Sequence, residues 1–196
     1  MAITLTKGQK ISLVKEAGGA LTKVIMGLGW DAAKRSGGVL GFLGGGAGGS
    51  IDLDASCLMF DAAKNLVDTV WFRQLRSQDG SVIHTGDNRT GDGDGDDEQI
   101  IVDLSQVPAS VQSLVFVVNS FTGQTFDAVA NAFCRMVNVS NKQEVARYSL
   151  SGGGKYTAQI MAKVYRYNGE WKMHAIGEPS SGRTFQDMLP QVVNCL

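Results

Sequence analysis

The chain is built from short runs in which apolar and polar residues alternate, separated by glycine-containing turns. Such runs occupy residues 2–6, 10–14, 22–30, 52–60, 69–75, 99–104, 113–121, 133–139, 144–150, 156–168 and 170–177. They are rich in β-branched and aromatic side chains, and a period of two places alternate residues on opposite faces of a strand. The clearest local signal is Tyr165-Arg166-Tyr167-Asn168-Gly169-Glu170-Trp171. Asn-Gly between two alternating runs supplies the two positive φ angles of a tight hairpin turn. Helical signals are few. Phe126 to Phe133 is expected to form two turns capped by Thr125, and residues 184–196 a helix that Pro190 limits in length. Many short strands with few helices predict an all-β fold, a two-sheet antiparallel β-sandwich with a few short helices in one domain over 1–196.

Composition narrows the function classes. A hydrophobic fraction of 43% supplies a core and argues against global disorder. Apolar stretches such as the one from Leu114 are too short to span a bilayer. The N-terminus lacks the basic start and apolar segment of a secretory signal, so a cytoplasmic protein is expected. The net charge of −1 gives no overall field for nucleic acid. Cys57, Cys134 and Cys195 are far apart, with no metal or redox spacing. Cys57 and Cys134 sit in apolar runs and read as buried small hydrophobes.

Two segments concentrate glycine. Residues 37–49 hold eight glycines in thirteen positions, including a G-x-G-x-x-G at Gly44, Gly46 and Gly49. A strand-like run follows instead of a helix, so a dinucleotide fingerprint is excluded and a mobile surface loop is expected. The absence of lysine after Gly49 excludes a P-loop. The other segment, residues 87–98, holds six carboxylates and one base, Arg89, and Gly91, Gly93 and Gly95 alternate with Asp92, Asp94 and Asp96. The rest of the chain has 13 acids and 17 bases, so a +4 domain carries a −5 loop.

A solvated acidic loop is the plain alternative, but three features favour a cation site. Like charges at ~4 Å repel by about 1 kcal/mol per pair in water. Interleaved glycines let the backbone curl so that the acids converge. Strand-like residues 81–85 and 99–104 anchor the loop on both sides. Ligands that are all oxygen suit Ca²⁺, with its 6–8 tolerant positions, better than Mg²⁺, and the loop has no His or Cys for zinc. An EF-hand starting at Asp92 fails, because Asp97 stands where glycine is needed and a strand follows. Asp52 and Asp54 share one face of a strand and can complete the site, and Asp31 is a third candidate.

These motifs resemble the TerD family of bacterial tellurium-resistance and stress-response proteins. The resemblance rests on GLGWD (27–31), DLDAS (52–56), HTGDNRTGDGDGDDE (84–98) and VDLSQVP (102–108). It continues through NAF.R.VN (131–138), ARY.L (146–150) and NGEWK (168–172). It covers nearly the whole chain, and FTGQTF (121–126) is closer to the TerZ branch. The resemblance implies a β-sandwich whose acidic loops bind two Ca²⁺ ions. The implied metal ligands are Asp31, Asp52, Asp54, Asp87, Asn88, Asp92, Asp94, Asp96, Asp97 and Glu98. It also implies partners among other Ter-family proteins, one of them membrane-embedded.

The catalytic inventory is thin. His84 and His174 are the only histidines, and neither a Ser/His/Asp spacing nor a nucleophile elbow is present. His174 reads as structural, and His84 either orients a ligand carboxylate or closes its strand. No enzyme is expected. The alternative is a metal-dependent phosphoesterase using the same acids, with only Arg89 close by to help. Three scattered cysteines suit a tellurite-reducing role poorly.

Overall fold

A computed structural model describes residues 3–16, 21–32, 52–86, 95–149 and 154–196. Its first half contains β1 (Ile3–Thr4), β2 (Lys10–Ser12), α1 (Leu13–Glu16), β3 (Lys23–Ala32), β4 (Leu53–Asp61), β5 (Leu66–Val70) and β6 (Val82–His84). Then follow β7 (Glu98–Asp103), β8 (Val111–Ser120), β9 (Val129–Asn138), β10 (Glu144–Ser149), β11 (Ala158–Tyr167), β12 (Glu170–Ser180) and α2 (Phe185–Asn194). The strands form two six-stranded sheets, ordered β1-β10-β9-β3-β7-β6 and β2-β12-β11-β8-β4-β5. The fold is the expected β-sandwich. One pairing departs from the expectation: β1 lies parallel to β10.

The main core lies between the sheets. Met26, Leu28, Ile100, Cys134 and Met136 of the first sheet meet Leu53, Met59, Leu114, Phe116 and Val164 of the second. A second core lies on the outer face of the second sheet. There Leu58, Phe60, Val115, Val117 and Ile160 pack under Phe185, Met188 and Val192 of α2. Strands β4 and β8 are therefore buried on both faces, whereas β7 alternates buried and half-buried residues. Cys57 and Cys134 are fully buried, as their apolar context predicts.

The Asn168-Gly169 turn forms as read, with φ of 51° and 79° and Tyr167 paired with Glu170. Other expectations need correction. Residues 126–133 are not helical beyond one 3₁₀ turn at Phe126–Ala128. The Thr125 hydroxyl bonds the Asp127 carboxylate and does not cap a helix. From Val129 the chain is extended, burying Ala132, Cys134 and Met136 and leaving Phe133, Arg135 and Val137 half-buried. That period of two outweighs weak helix propensity. The run at 69–75 ends as a strand at Val70, and Trp71 and Gln74 then pair across a tight turn. The run at 10–14 gives way to α1 after Ser12.

Pro190 does not shorten α2, which continues to Asn194. A reciprocal box between Thr184 and Asp187 fixes the helix start. Phe185, Met188 and Val192, on one face before and after the proline, anchor the helix to the sheet. This packing offsets the one helical hydrogen bond that proline removes. The glycine-rich segment 37–49 lies outside the described residues.

Candidate metal-binding end of the sandwich

Register places several sequence-predicted acids at one end of the molecule. Glu98 begins β7 opposite Leu28 of β3, while Leu53 begins β4 opposite Ser120 of β8. His84 ends β6 at the same level, paired with Ile100. The acidic segment therefore re-enters the fold where β4 starts.

Three successive acids then go to three places. The Glu98 carboxylate points inward, fully buried, and Oε2 accepts the Ala55 amide at 2.7 Å, tying the first sheet to the second. His84 Nε2 lies 3.4 Å from the same oxygen, and both side chains are fully buried. The Gly86 amide donates to His84 Nδ1 at 3.1 Å, which fixes the ring with Nε2 on the side of Glu98. The sequence offers His84 either as orienting a ligand carboxylate or as closing its strand, and in the structure it is the last residue of β6 with Glu98 3.4 Å away. Asp97 stays at the edge, where Oδ2 accepts the Trp30 amide at 2.8 Å.

Asp96 turns the other way, over the outer face of the first sheet. Its Oδ1 receives Arg135 Nε at 2.7 Å, and its Oδ2 receives Gln99 Nε2 at 3.1 Å. Glycine makes room for it. A Cβ on Gly27 would collide with the Asp96 carboxylate, and one on Gly29 would come within 2.5 Å of the Gly95 carbonyl and the Phe133 ring. Arg135 continues to Glu144 at 3.3 Å, which Arg147 also holds at 2.7 Å. Arg147 in turn stacks over Phe133 at 4.1 Å. Arg147, and then Arg135, hold the Glu144 carboxyl below the ordinary carboxylate range. The sequence groups Asp96 with the metal ligands, and in the structure its two oxygens accept from Arg135 and Gln99.

Asp52 and Asp54 are buried, at 7% and 3% exposure. Alternation along β4 puts them on the outer side with Leu58 and Phe60, while Leu53 and Ala55 face the main core. Asp54 Oδ2 accepts Asn119 Nδ2 at 3.1 Å, and that amide also donates to the Arg183 carbonyl at 2.6 Å. The Asp52 carbonyl accepts the Phe121 amide at 3.0 Å. Asp31 lies within β3, paired with Ala130, and its side chain is outside the described residues. Asp87, Asn88, Asp92 and Asp94 also lie outside them.

Among the described residues, no three His, Cys, Asp or Glu side chains form a group able to hold a metal ion. The donors gathered at this end are carboxylate and carbonyl oxygens, with His84 behind Glu98. That chemistry fits a hard cation and not a thiophilic one. Sequence reasoning missed Asn119, Gln99 and Arg135. Asn119 carried no signal, because it ends an otherwise apolar run, whereas Arg135 was visible as the one charge in an alternating strand.

Fold and site define a class: an all-β sandwich that carries its acidic chemistry at the strand ends and in the connecting loop. Comparison with known proteins specifies it. The sequence matches the TerD domain over residues 1–191, and the chain belongs to this family of tellurium-resistance and stress-response proteins. It is 47% identical to the tellurium resistance protein TerZ of Serratia marcescens over 194 residues, covering 99% of this chain and 98% of that protein. Identity to the TerD protein of the same organism is 40%, covering 93% of each, in keeping with the closer likeness to the TerZ branch. Stress response protein SCP2 of Bacillus subtilis (strain 168) is 44% identical, covering 98% of this chain and all of that one. The fold matches the crystal structure of a telluride resistance protein (TerD) homologue from Streptomyces coelicolor A3(2). The TM-score is 0.71 at 20% identity, covering 89% of this chain and 98% of that one. None of these relatives has the name of an enzyme. Among the described residues, no helix is long and apolar enough to cross a membrane.

Proposed function

We propose that this end of the sandwich binds Ca²⁺, and that the bound state orders a surface for partner proteins, other Ter-family members and a membrane-embedded one among them. The observation that carries the reading is the burial of Asp52, Asp54 and Glu98 where the acidic segment rejoins the fold. Buried carboxylates are held by the hydrogen bonds they accept, and a divalent cation beside them would add an opposite charge. Asp52 and Asp54 on the outer side of β4, and Asp97 and Glu98 where the acidic segment rejoins β7, would supply separate fixed ligands. Asp87, Asn88, Asp92 and Asp94, with Asp31, complete the set for two ions. Asp96 positions the segment through Arg135 and is not a ligand. Calcium supplies charge neutralisation here and no redox or nucleophilic chemistry, in line with a binding role and not catalysis.

Thermal unfolding tests this. One millimolar Ca²⁺ should raise the melting temperature of the full chain by several degrees, and Mg²⁺ at the same concentration by much less. Binding to the native state alone stabilises by about 2.7 kcal/mol when the ligand stands at a hundred times its Kd. Equal shifts with both ions would refute a calcium site, and no shift with either would refute metal binding.

A further inference from the structure

The acid-bearing outer face of the second sheet also carries a row of aromatic rings that the calcium reading leaves unused. Phe185, Trp71, Phe72 and Phe121 touch in sequence, edge to face, at centroid separations of 5.1, 4.7 and 5.6 Å. The row begins at Phe185, buried at the start of α2, and ends at Phe121, which is 37% exposed. Two exposed arginines flank the outer end. The Arg73 guanidinium lies over Trp71 and Phe72 at 5.6 and 5.3 Å. The Arg183 guanidinium lies beside Gly123, two residues beyond Phe121.

This surface is joined to the acids by direct hydrogen bonds. The Phe121 amide holds the Asp52 carbonyl, and Asn119 bridges the Asp54 carboxylate and the Arg183 carbonyl. Both flanking segments are turns at the tip of the sandwich, one after β5 and one after β8. Side chains on turns at a tip can enter a headgroup layer without a matching rigid surface opposite them. Aromatic rings belong at a membrane interface, and exposed arginines pair with phosphate.

We infer that Phe72 and Phe121, flanked by Arg73 and Arg183, dock this tip onto a bilayer of anionic phospholipid, and that Asp52 and Asp54 beside them make docking calcium-dependent. The inference rests on the calcium reading. Asp52 and Asp54 are buried, so metal at them acts through the hydrogen bonds that join them to Phe121 and Arg183 and fixes the tip for docking. An acidic protein surface is the competing occupant, and the arginines would suit it. The exposed Phe121 ring, with half-buried Phe72 beside it at a turn-built tip, favours the lipid.

The test is sedimentation of the full-length chain with vesicles of phosphatidylcholine alone or with 30% phosphatidylserine, with calcium or with chelator. The wild type should sediment with the anionic vesicles in calcium and at least tenfold less in chelator or with phosphatidylcholine alone. Phe121→Ser keeps the backbone bond to Asp52. It should cut vesicle binding at least fivefold while its calcium-induced melting shift stays at the wild-type value. Arg73→Gln with Arg183→Gln should remove the preference for anionic vesicles. A calcium-induced melting shift without vesicle binding would overturn this inference and leave the calcium reading standing, whereas loss of the shift itself would overturn both. Binding unaffected by Phe121→Ser or by chelator would overturn it. So would capture by immobilised poly-glutamate with no vesicle binding.

Discussion

The two sheets of the sandwich treat their outer faces differently. The second sheet is covered by α2, so β4 runs as an almost unbroken buried segment, Leu53 to Phe60. The outer face of the first sheet carries the network Asp96, Arg135, Glu144 and Arg147. Its strands β7 and β9 accordingly alternate buried with half-buried residues. Apolar packing secures one face and charge pairing the other. The acidic segment touches both, since Asp96 is tied to the charged face while Glu98 crosses the core to the strand that α2 covers.

Substitutions on the two faces should therefore cost unequal amounts. Phe185→Ala removes a ring that α2 buries against the second sheet and is expected to destabilise by about 3–5 kcal/mol, read from the urea midpoint. Ile101→Ala, half-buried on the outer side of the first sheet, should cost about 1 kcal/mol. Equal losses would erase the distinction.

Acid should act on the charged face and spare the apolar one. Arg147 and Arg135 depress the Glu144 carboxyl below its ordinary value of 4.5. A depressed carboxyl stabilises the fold above the ordinary value, and that contribution is lost as pH falls through the lower folded value. The wild type should therefore lose up to ~1 kcal/mol more than Glu144→Gln between pH 6 and pH 3. Identical losses in the two proteins would show that the network contributes nothing.

The same contrast governs what the sequence reveals. Alternation in residues 99–104 and 133–139 marks strands with one open face, and Asn168-Gly169 marks its own turn, because both signals are local. The parallel pairing of β1 with β10 depends on residues more than a hundred positions apart and leaves no local pattern. Pro190 misleads because packing of Phe185, Met188 and Val192 outweighs a local rule. At the candidate site, residue type and spacing mark Asp52, Asp54, Asp96, Asp97 and Glu98 as acids of one end of the molecule. They do not disclose that Asp96 turns away, because that follows from the space left at Gly27 and from an arginine thirty-nine residues on.

Calorimetric titration of Ca²⁺ into the wild type and Asp54→Asn, with both proteins verified as folded, tests the central claim most directly. The account predicts saturable heat for the wild type and at least a tenfold weaker affinity for Asp54→Asn. A wild type that stays silent at millimolar Ca²⁺, or a variant that binds as tightly as the wild type, would contradict it.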